Sequence, residues 1–308
     1  MKLEGIHHVT AITGDAPGNV DFYTRILGLR LVKKSVNQDD PTVYHLFYAD
    51  EAGSPGSDIT FFEYPGARRG RAGRGMVHTV VWRVGSADAV AFWEERLKRE
   101  GLDVTRDGRR LTFADPEGLG LEIRLVETTD EPLVAVHPEI PAEMAIQGFD
   151  GVRAYTGDAN ASRAFLADTL GFATDGDAAA FEVRGDRRGS FYAYDEIAGT
   201  GWPGAGTVHH VAWSSPPEEH EAWRERVQEG GGRPTGIIDR YYFKSIYFRE
   251  PSGVLFEIAT IGPGFTTDED IEHLGERLAL PPAYEHLREQ VEKVVTPLPD
   301  PRADWAVR

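Results

Sequence analysis

One structural unit recurs four times along this 308-residue chain, and the recurrence constrains the fold more than any single segment does. Phe22-Tyr23-Thr24-Arg25-Ile26-Leu27-Gly28-Leu29 matches Phe165-Leu166-Ala167-Asp168-Thr169-Leu170-Gly171-Phe172. Trp93-Glu94-Glu95-Arg96-Leu97 matches Trp223-Arg224-Glu225-Arg226-Val227. Asp115-Pro116-Glu117-Gly118 leads into Leu121-Glu122-Ile123, as Glu250-Pro251-Ser252-Gly253 leads into Phe256-Glu257-Ile258. The period reads as a strand, an amphipathic helix ending in glycine, then about three strands with a Pro-x-Gly turn before the last. It predicts an α+β fold of four βαβββ modules, near residues 3–64, 75–126, 146–196 and 206–261, with mixed sheets curled into cups. Two domains follow, 1–126 and 146–261, joined by a Pro-rich, acidic linker at 127–145. Residues 262–308 form a helical tail, with helical spacing over 267–280 and 284–294 and a Pro-rich end expected to fray. The basic, Gly-rich run from Arg68 to Gly75 lacks the strand and helix context of a phosphate loop and reads as a flexible connector.

Composition narrows the function. The chain has no cysteine, which excludes disulfides, thiolate metal sites and a cysteine nucleophile. That fits a reducing compartment, and the expected location is cytoplasmic. The first residues run straight into a strand pattern, so no secretory signal is expected. No apolar run reaches the length of a membrane span. A net charge of −17 argues against a general nucleic-acid or anionic-membrane binder.

Histidine pairs open two of the modules. Gly5-Ile6-His7-His8-Val9-Thr10 stands in the first and Thr207-Val208-His209-His210-Val211-Ala212 in the fourth. Strand alternation separates the neighbours. Val9, Val80, Val152 and Val211 are counterparts, and a branched apolar residue in every module marks the face under the helix. His8 and His210 then point to the opposite, concave face, while His7 and His209 point away. In Leu255-Phe256-Glu257-Ile258-Ala259 a carboxylate shares that face with apolar neighbours, and a buried carboxylate needs a partner such as a metal. Two imidazoles and one carboxylate form the facial triad that holds a non-haem Fe(II) and leaves positions open. Mn(II) is the alternative occupant.

The other modules act as internal controls. They place Thr79 and Gly151 at the two ligand positions, and Glu122, which matches Glu257, has no imidazole pair. Modules one and four are therefore expected to share one working cup, and modules two and three a degenerate one. His45 reads as structural. His137, His220, His273 and His286 lie in polar or linker stretches and read as solvated, and Asp39-Asp40 reads as a turn acid pair ahead of Pro41.

These residues resemble the vicinal oxygen chelate superfamily, with its glyoxalase and dioxygenase domains in tandem. Within it the longer motifs resemble the hydroquinone-type ring-cleaving dioxygenases: Leu31 to Asp40, Tyr44 to Asp50, Asp239 to Pro251, and the tail from Gly262 to Glu276. The resemblance covers essentially the whole chain. It implies an Fe(II) held by His8, His210 and Glu257, and catalytic roles for His7, Thr10, His209, Arg240 and Tyr247. It implies a small aromatic diol and O₂ as reactants, and a homo-oligomer is compatible with it. Arg240 and Lys244 lie where module four is longer than module two, 28 residues against 23 from Trp to the Pro turn, which reads as substrate recognition. Thr10 and Tyr247 point inward by alternation; His7 and His209 reach a substrate only if the strands bulge.

Three alternatives remain open at this point. A catechol-type ring-cleaving enzyme would use the same triad. A glyoxalase-like isomerase would add Glu63, which matches Glu257 by position, as a fourth ligand. A sequestering protein would use the cup without catalysis.

Overall fold

The protein is described from a computed structural model, over residues 1–174, 179–303 and 305. The first module contributes β1 (Ile6–Thr13), β2 (Arg30–Asn37), β3 (Asp40–Ala49) and β4 (Asp58–Glu63); its helix α1 (Ala16–Val20) widens into one turn over Asp21–Ile26. The second contributes β5 (Met76–Val84), α2 (Ala87–Arg99), β6 (Thr105–Asp107), β7 (Arg110–Ala114) and β8 (Gly120–Leu125). The third keeps β9 (Phe149–Thr156), short helical turns, β10 (Ala180–Arg184) and β11 (Gly189–Glu196). Among the described residues its remaining strand is represented by a bridge between Ala173 and Glu182. The fourth contributes β12 (Val208–Ser215), α3 (His220–Glu229), β13 (Ile238–Asp239), β14 (Lys244–Arg249) and β15 (Leu255–Thr260). A last helix, α4, spans Arg288–Val294. No helix among the described residues is long and apolar enough to cross a membrane.

The strands form two sheets, ordered β13-β14-β15-β12-β1-β4-β3-β2 and β10-β11-β9-β5-β8-β7-β6. Modules one and four thus share one sheet, joined where β1 runs antiparallel to β12. Modules two and three share the other, joined where β5 runs antiparallel to β9. The helix side of both sheets is apolar for the reason the repeat gives. Val9, Val80, Val152 and Val211 are fully buried there, with the indoles of Trp82, Trp93, Trp213 and Trp223. Each indole removes roughly 200 Å² from water, on the order of 5 kcal/mol of hydrophobic stabilisation before entropy is counted.

Each seam carries two bulges. Between Ile6 and His8, two steps along β1 oppose the single step from Trp213 to Ala212, so His7 is the extra residue. Between Thr10 and Ala11, β12 advances from His210 to Val208, so His209 is the extra residue. The second seam repeats this at His78 and Asp150. A bulge breaks strict alternation and adds local twist.

Several parts differ from the sequence expectation. The run from Arg68 to Gly75 is paired, not free: Arg69 bridges Ala205 and Arg71 bridges Trp202, so the two connectors between modules lie side by side. They approach so closely that a Cβ at Gly73 would sit 2.0 Å from Gly201 N. Residues 267–280 hold only short 3₁₀ turns, at Phe265–Thr267 and Ile271–His273, because this stretch spends its carbonyls on β2. Arg30 reaches Glu272 O, and Lys34 Nζ reaches Glu276 O and Leu298 O. The buried Lys33 Nζ contacts Asp268 Oδ1 at 2.7 Å and also meets Glu269. The Pro-rich end is anchored too, with Arg302 on Glu51 at 2.7 Å. His137 and His220 are buried rather than solvated: His137 packs edge-on to Trp305, and His220 Nδ1 lies 3.2 Å from Ser215 Oγ.

Gly73→Ala is expected to lower stability by about 1–3 kcal/mol in urea unfolding, because backbone must move to admit the methyl. Gly199→Ala, with nothing within 4 Å, is expected to change it by less than about 0.5 kcal/mol. Equal effects would show that the connectors are not packed as described.

Candidate metal centre

The concave face of the first sheet follows from strand alternation and register. His8 and Thr10 on β1, His210 on β12, Thr60 and Phe62 on β4, and Glu257 on β15 share it. His8, His210 and Glu257 are buried and converge. His8 Nε2 lies 3.2 Å from His210 Nε2 and 3.2 Å from Glu257 Oε2; His210 Nε2 lies 2.9 Å from the same oxygen. Three adjacent positions around an octahedral ion with bonds of about 2.1 Å are separated by about 3.0 Å, so these edges suit one face of such a sphere. Neither Glu257 oxygen has a hydrogen-bond partner. A carboxylate oxygen at contact distance from two imidazole nitrogens but without hydrogen-bond geometry is what ligands aimed at a shared point produce. Burial alone would raise the Glu257 pKa, but His8 and His210 bring it well below the ordinary range. The residues fit a divalent metal, and among the described residues this is the one such cluster of three.

The bulges explain the histidine pairs. Alternation turns His7 and His209 away from the concave face; the bulges bring both back. His7 Nδ1 lies 2.9 Å from His8 Nδ1, and His209 Nδ1 lies 2.8 Å from His210 Nδ1. His7 Nε2 is 3.2 Å from the Thr260 carbonyl. Donation from His7 Nε2 to that carbonyl leaves Nδ1 to accept from His8 Nδ1, which presents the His8 Nε2 lone pair to the shared point. Burial, then His8, pushes the His7 pKa down to about 3, so the acceptor is neutral at pH 7. His7 and His209 therefore sit behind the converging imidazoles.

A cleft opens above the cluster, its walls including His45, Phe47, Phe62, Phe243, Arg240 and Tyr247. Arg240 Nε donates to Tyr247 Oη at 3.3 Å. Its other nitrogens reach Asp39 Oδ1 at 3.2 Å and Oδ2 at 2.9 Å. Burial opposes the charge on Arg240, but Asp39 and Tyr247 outweigh it and raise the pKa. Burial and then the Glu257 carboxylate raise the Tyr247 pKa, so its phenol keeps its proton at neutral pH. Tyr241, at φ +70°, carries backbone strain beside Arg240.

The other expected residues divide. Thr10 is buried below the cleft and its Oγ1 lies 2.8 Å from Thr60 Oγ1. Lys244 is exposed and turned away from the cleft. Asp39, read from sequence as a turn acid, pairs with Arg240 across 201 residues of chain. Glu63 faces the helix side, where Oε1 accepts from Ala16 N at 3.2 Å. Register also corrects its alignment: Thr10 pairs with Thr60 as Ala212 pairs with Glu257, so Thr60, not Glu63, is the counterpart of Glu257. An isomerase-type fourth ligand from β4 is thus absent among the described residues. His45 was legible as an apolar-strand histidine but not as a cleft residue, because only the β3–β4 register brings it beside Phe62. In the second sheet Thr79 and Gly151 occupy the positions of His8 and His210, and burial raises the Glu122 pKa with no imidazole pair to oppose it.

The fold and this cluster define a class, and sequence comparison agrees with it. The chain belongs to the glyoxalase/bleomycin resistance protein/dioxygenase superfamily, whose family model matches residues 5–123 and 148–258. It is 39% identical over 319 residues to MhqA of Bacillus subtilis (strain 168), a ring-cleaving dioxygenase by provisional name, covering 97% of this chain and 100% of that one. It is 32% identical over 308 residues to the chlorohydroquinone/hydroquinone 1,2-dioxygenase of Sphingobium indicum, covering 94% and 95%. A crystal structure of a provisionally assigned dioxygenase from Bacillus subtilis superposes with a TM-score of 0.90 at 40% identity, covering 96% of this chain and 98% of that one.

The cluster has a consequence for the metal-free protein. Without a metal, Glu257 is a fully buried carboxylate whose two oxygens accept no hydrogen bond. In chelator-treated protein at pH 8, Glu257→Gln is expected to raise the urea midpoint, equivalent to about 1–3 kcal/mol. A loss of more than about 1 kcal/mol would show that the carboxylate is satisfied without a metal.

Proposed function

We propose that this chain is an Fe(II)-dependent ring-cleaving dioxygenase that opens substituted 1,4-hydroquinones with O₂, and that His8, His210 and Glu257 hold the metal. The observation that carries the reading is the convergence of three buried donors, 2.9–3.2 Å apart, on the floor of an aromatic cleft. Relatives of matching length named for ring cleavage, one of them for hydroquinone, support it. The same donors accept Mn(II). A metal held by His8, His210 and Glu257 would supply Lewis-acid and one-electron chemistry to a phenol and O₂.

The remaining work falls to the chain. Phe47, Phe62 and Phe243 hold an aromatic ring flat and exclude water. Tyr247 keeps its proton and donates it as a hydrogen bond to a ring oxygen. Arg240, charged and pinned by Asp39, stabilises negative charge that develops on that oxygen. His7 and His209 fix the tautomers of His8 and His210.

The test is anaerobic reconstitution with Fe(II), then oxygen uptake and product analysis with 1,4-hydroquinone and catechol. We expect one O₂ consumed per hydroquinone opened, with catechol turned over poorly. His8→Ala, His210→Ala and Glu257→Ala are each expected to lose metal and activity, while Glu122→Gln keeps both. Arg240→Lys keeps charge but loses the planar fork, and is expected to cost about thirtyfold in kcat/KM. Ring opening of catechol alone, or full metal retention in His210→Ala, would contradict the reading.

A further inference from the structure

The two oxygens of a 1,4-diol lie on opposite sides of the ring. A metal on the cleft floor can take only one of them, so the wall must receive the other. Ser35 Oγ lies buried in that wall without a partner, but most of the other polar groups are already engaged within the protein. Arg240, held by Asp39 and Tyr247, already serves with Tyr247 the ring oxygen on the metal side. Tyr242 donates to Asp268 at 2.9 Å, and Gln38 Nε2 donates to Arg240 O at 2.8 Å. Asn37 Oδ1 accepts from Asp39 N at 3.0 Å.

His45 differs. Its Nε2 lies 2.9 Å from Thr60 Oγ1, and that hydroxyl lies 2.8 Å from Thr10 Oγ1. Its ring is fixed against Phe47 at 3.9 Å and Phe62 at 4.5 Å between centroids. Its Nδ1 has no hydrogen-bond partner among the described residues, and the ring lines the cleft. It stands on β3, two strands from His8 in the order β1-β4-β3 and four residues further along, since His45 pairs with Phe62 and His8 with Asp58, roughly 16 Å away between backbones. That separation leaves room for one aromatic ring between the two side chains.

We propose that His45 is the substrate-binding group that receives the second, distal hydroxyl of a para-diol through Nδ1, and so selects 1,4-diols over ring compounds with one hydroxyl. This rests on the ring-cleaving reading for the choice of substrate, but not on turnover. Burial holds the imidazole neutral at pH 7, so one ring nitrogen donates and the other accepts. The Thr60 hydroxyl can donate or accept, so Nδ1 can serve a hydroxyl in one tautomer and a ring carbonyl or oxyanion in the other. Thr60 is then a positioning residue that holds the imidazole upright.

The experiment compares binding of 1,4-hydroquinone and phenol to Fe(II)-loaded protein under argon by calorimetry, with metal content measured on each variant. Wild-type protein is expected to bind hydroquinone about tenfold more tightly than phenol, the value of one directed hydrogen bond. His45→Phe keeps the packing against Phe47 and Phe62, and is expected to erase that preference without losing iron. His45→Gln, which keeps a polar reach, is expected to retain part of it. A wild-type preference preserved in His45→Phe would overturn the proposal, as would a wild-type protein with no preference, or loss of iron in both variants. Oxygen uptake is read separately. If the binding pattern holds but no oxygen is consumed, the dioxygenase reading fails while the role of His45 stands.

Discussion

The antiparallel seam between β1 and β12 is the constraint on which the rest depends. It joins the first module to the last, across about two hundred residues, and sets two histidine pairs side by side. Without the bulges at His7 and His209, each pair would split across the sheet, one imidazole under the helices and one in the cup. The bulges place both on the cup side. One imidazole of each pair is then free to face the shared point, while the other engages its far nitrogen.

The second seam shows that this geometry belongs to the scaffold rather than to the metal. It has the same bulges, at His78 and Asp150, yet Thr79 and Gly151 leave nothing to bind an ion. His78 instead meets Asp195 at 2.9 Å, and Asp150 meets Arg124 at 2.6 Å. One backbone solution thus serves a cup that gathers metal donors and a cup that spends the same positions on ion pairs. The tail completes the first cup. Phe265 packs with Tyr242, Phe243 and Phe47 on its concave side, and Lys33, Asp268 and Glu269 lock that tail to β2. The aromatic cleft is therefore built by residues far apart in sequence but held by one buried charge network.

The modules were legible in sequence because their signals are local: the glycine that ends a helix, the Trp of the next, the Pro-x-Gly turn. So were His8, His210 and Glu257, since alternation and the repeat suffice to put them on one face. The placements of His7, Asp39 and His45 were not. His7 depends on a bulge, which no period reveals. Asp39 depends on a partner in another module, and His45 on the register between β3 and β4. Glu63 was misaligned because the repeat preserves an acid in the segment but not its register, and only strand pairing shows that Thr60 holds the matching place. The tail misled in the opposite direction. Its helical spacing is real, but β2 takes its carbonyls and leaves only short turns.

The account stands on a single ion being held by two imidazoles from opposite ends of the chain and one carboxylate. The most direct measurement is anomalous X-ray scattering at the iron edge from crystals grown with Fe(II) under argon. It should give one dominant peak per chain, about 2.0–2.3 Å from His8 Nε2, His210 Nε2 and a Glu257 oxygen. A peak that involves Glu63 or lies in the second cup beside Glu122, or the absence of a peak from a crystal that retains these side-chain positions, would contradict it.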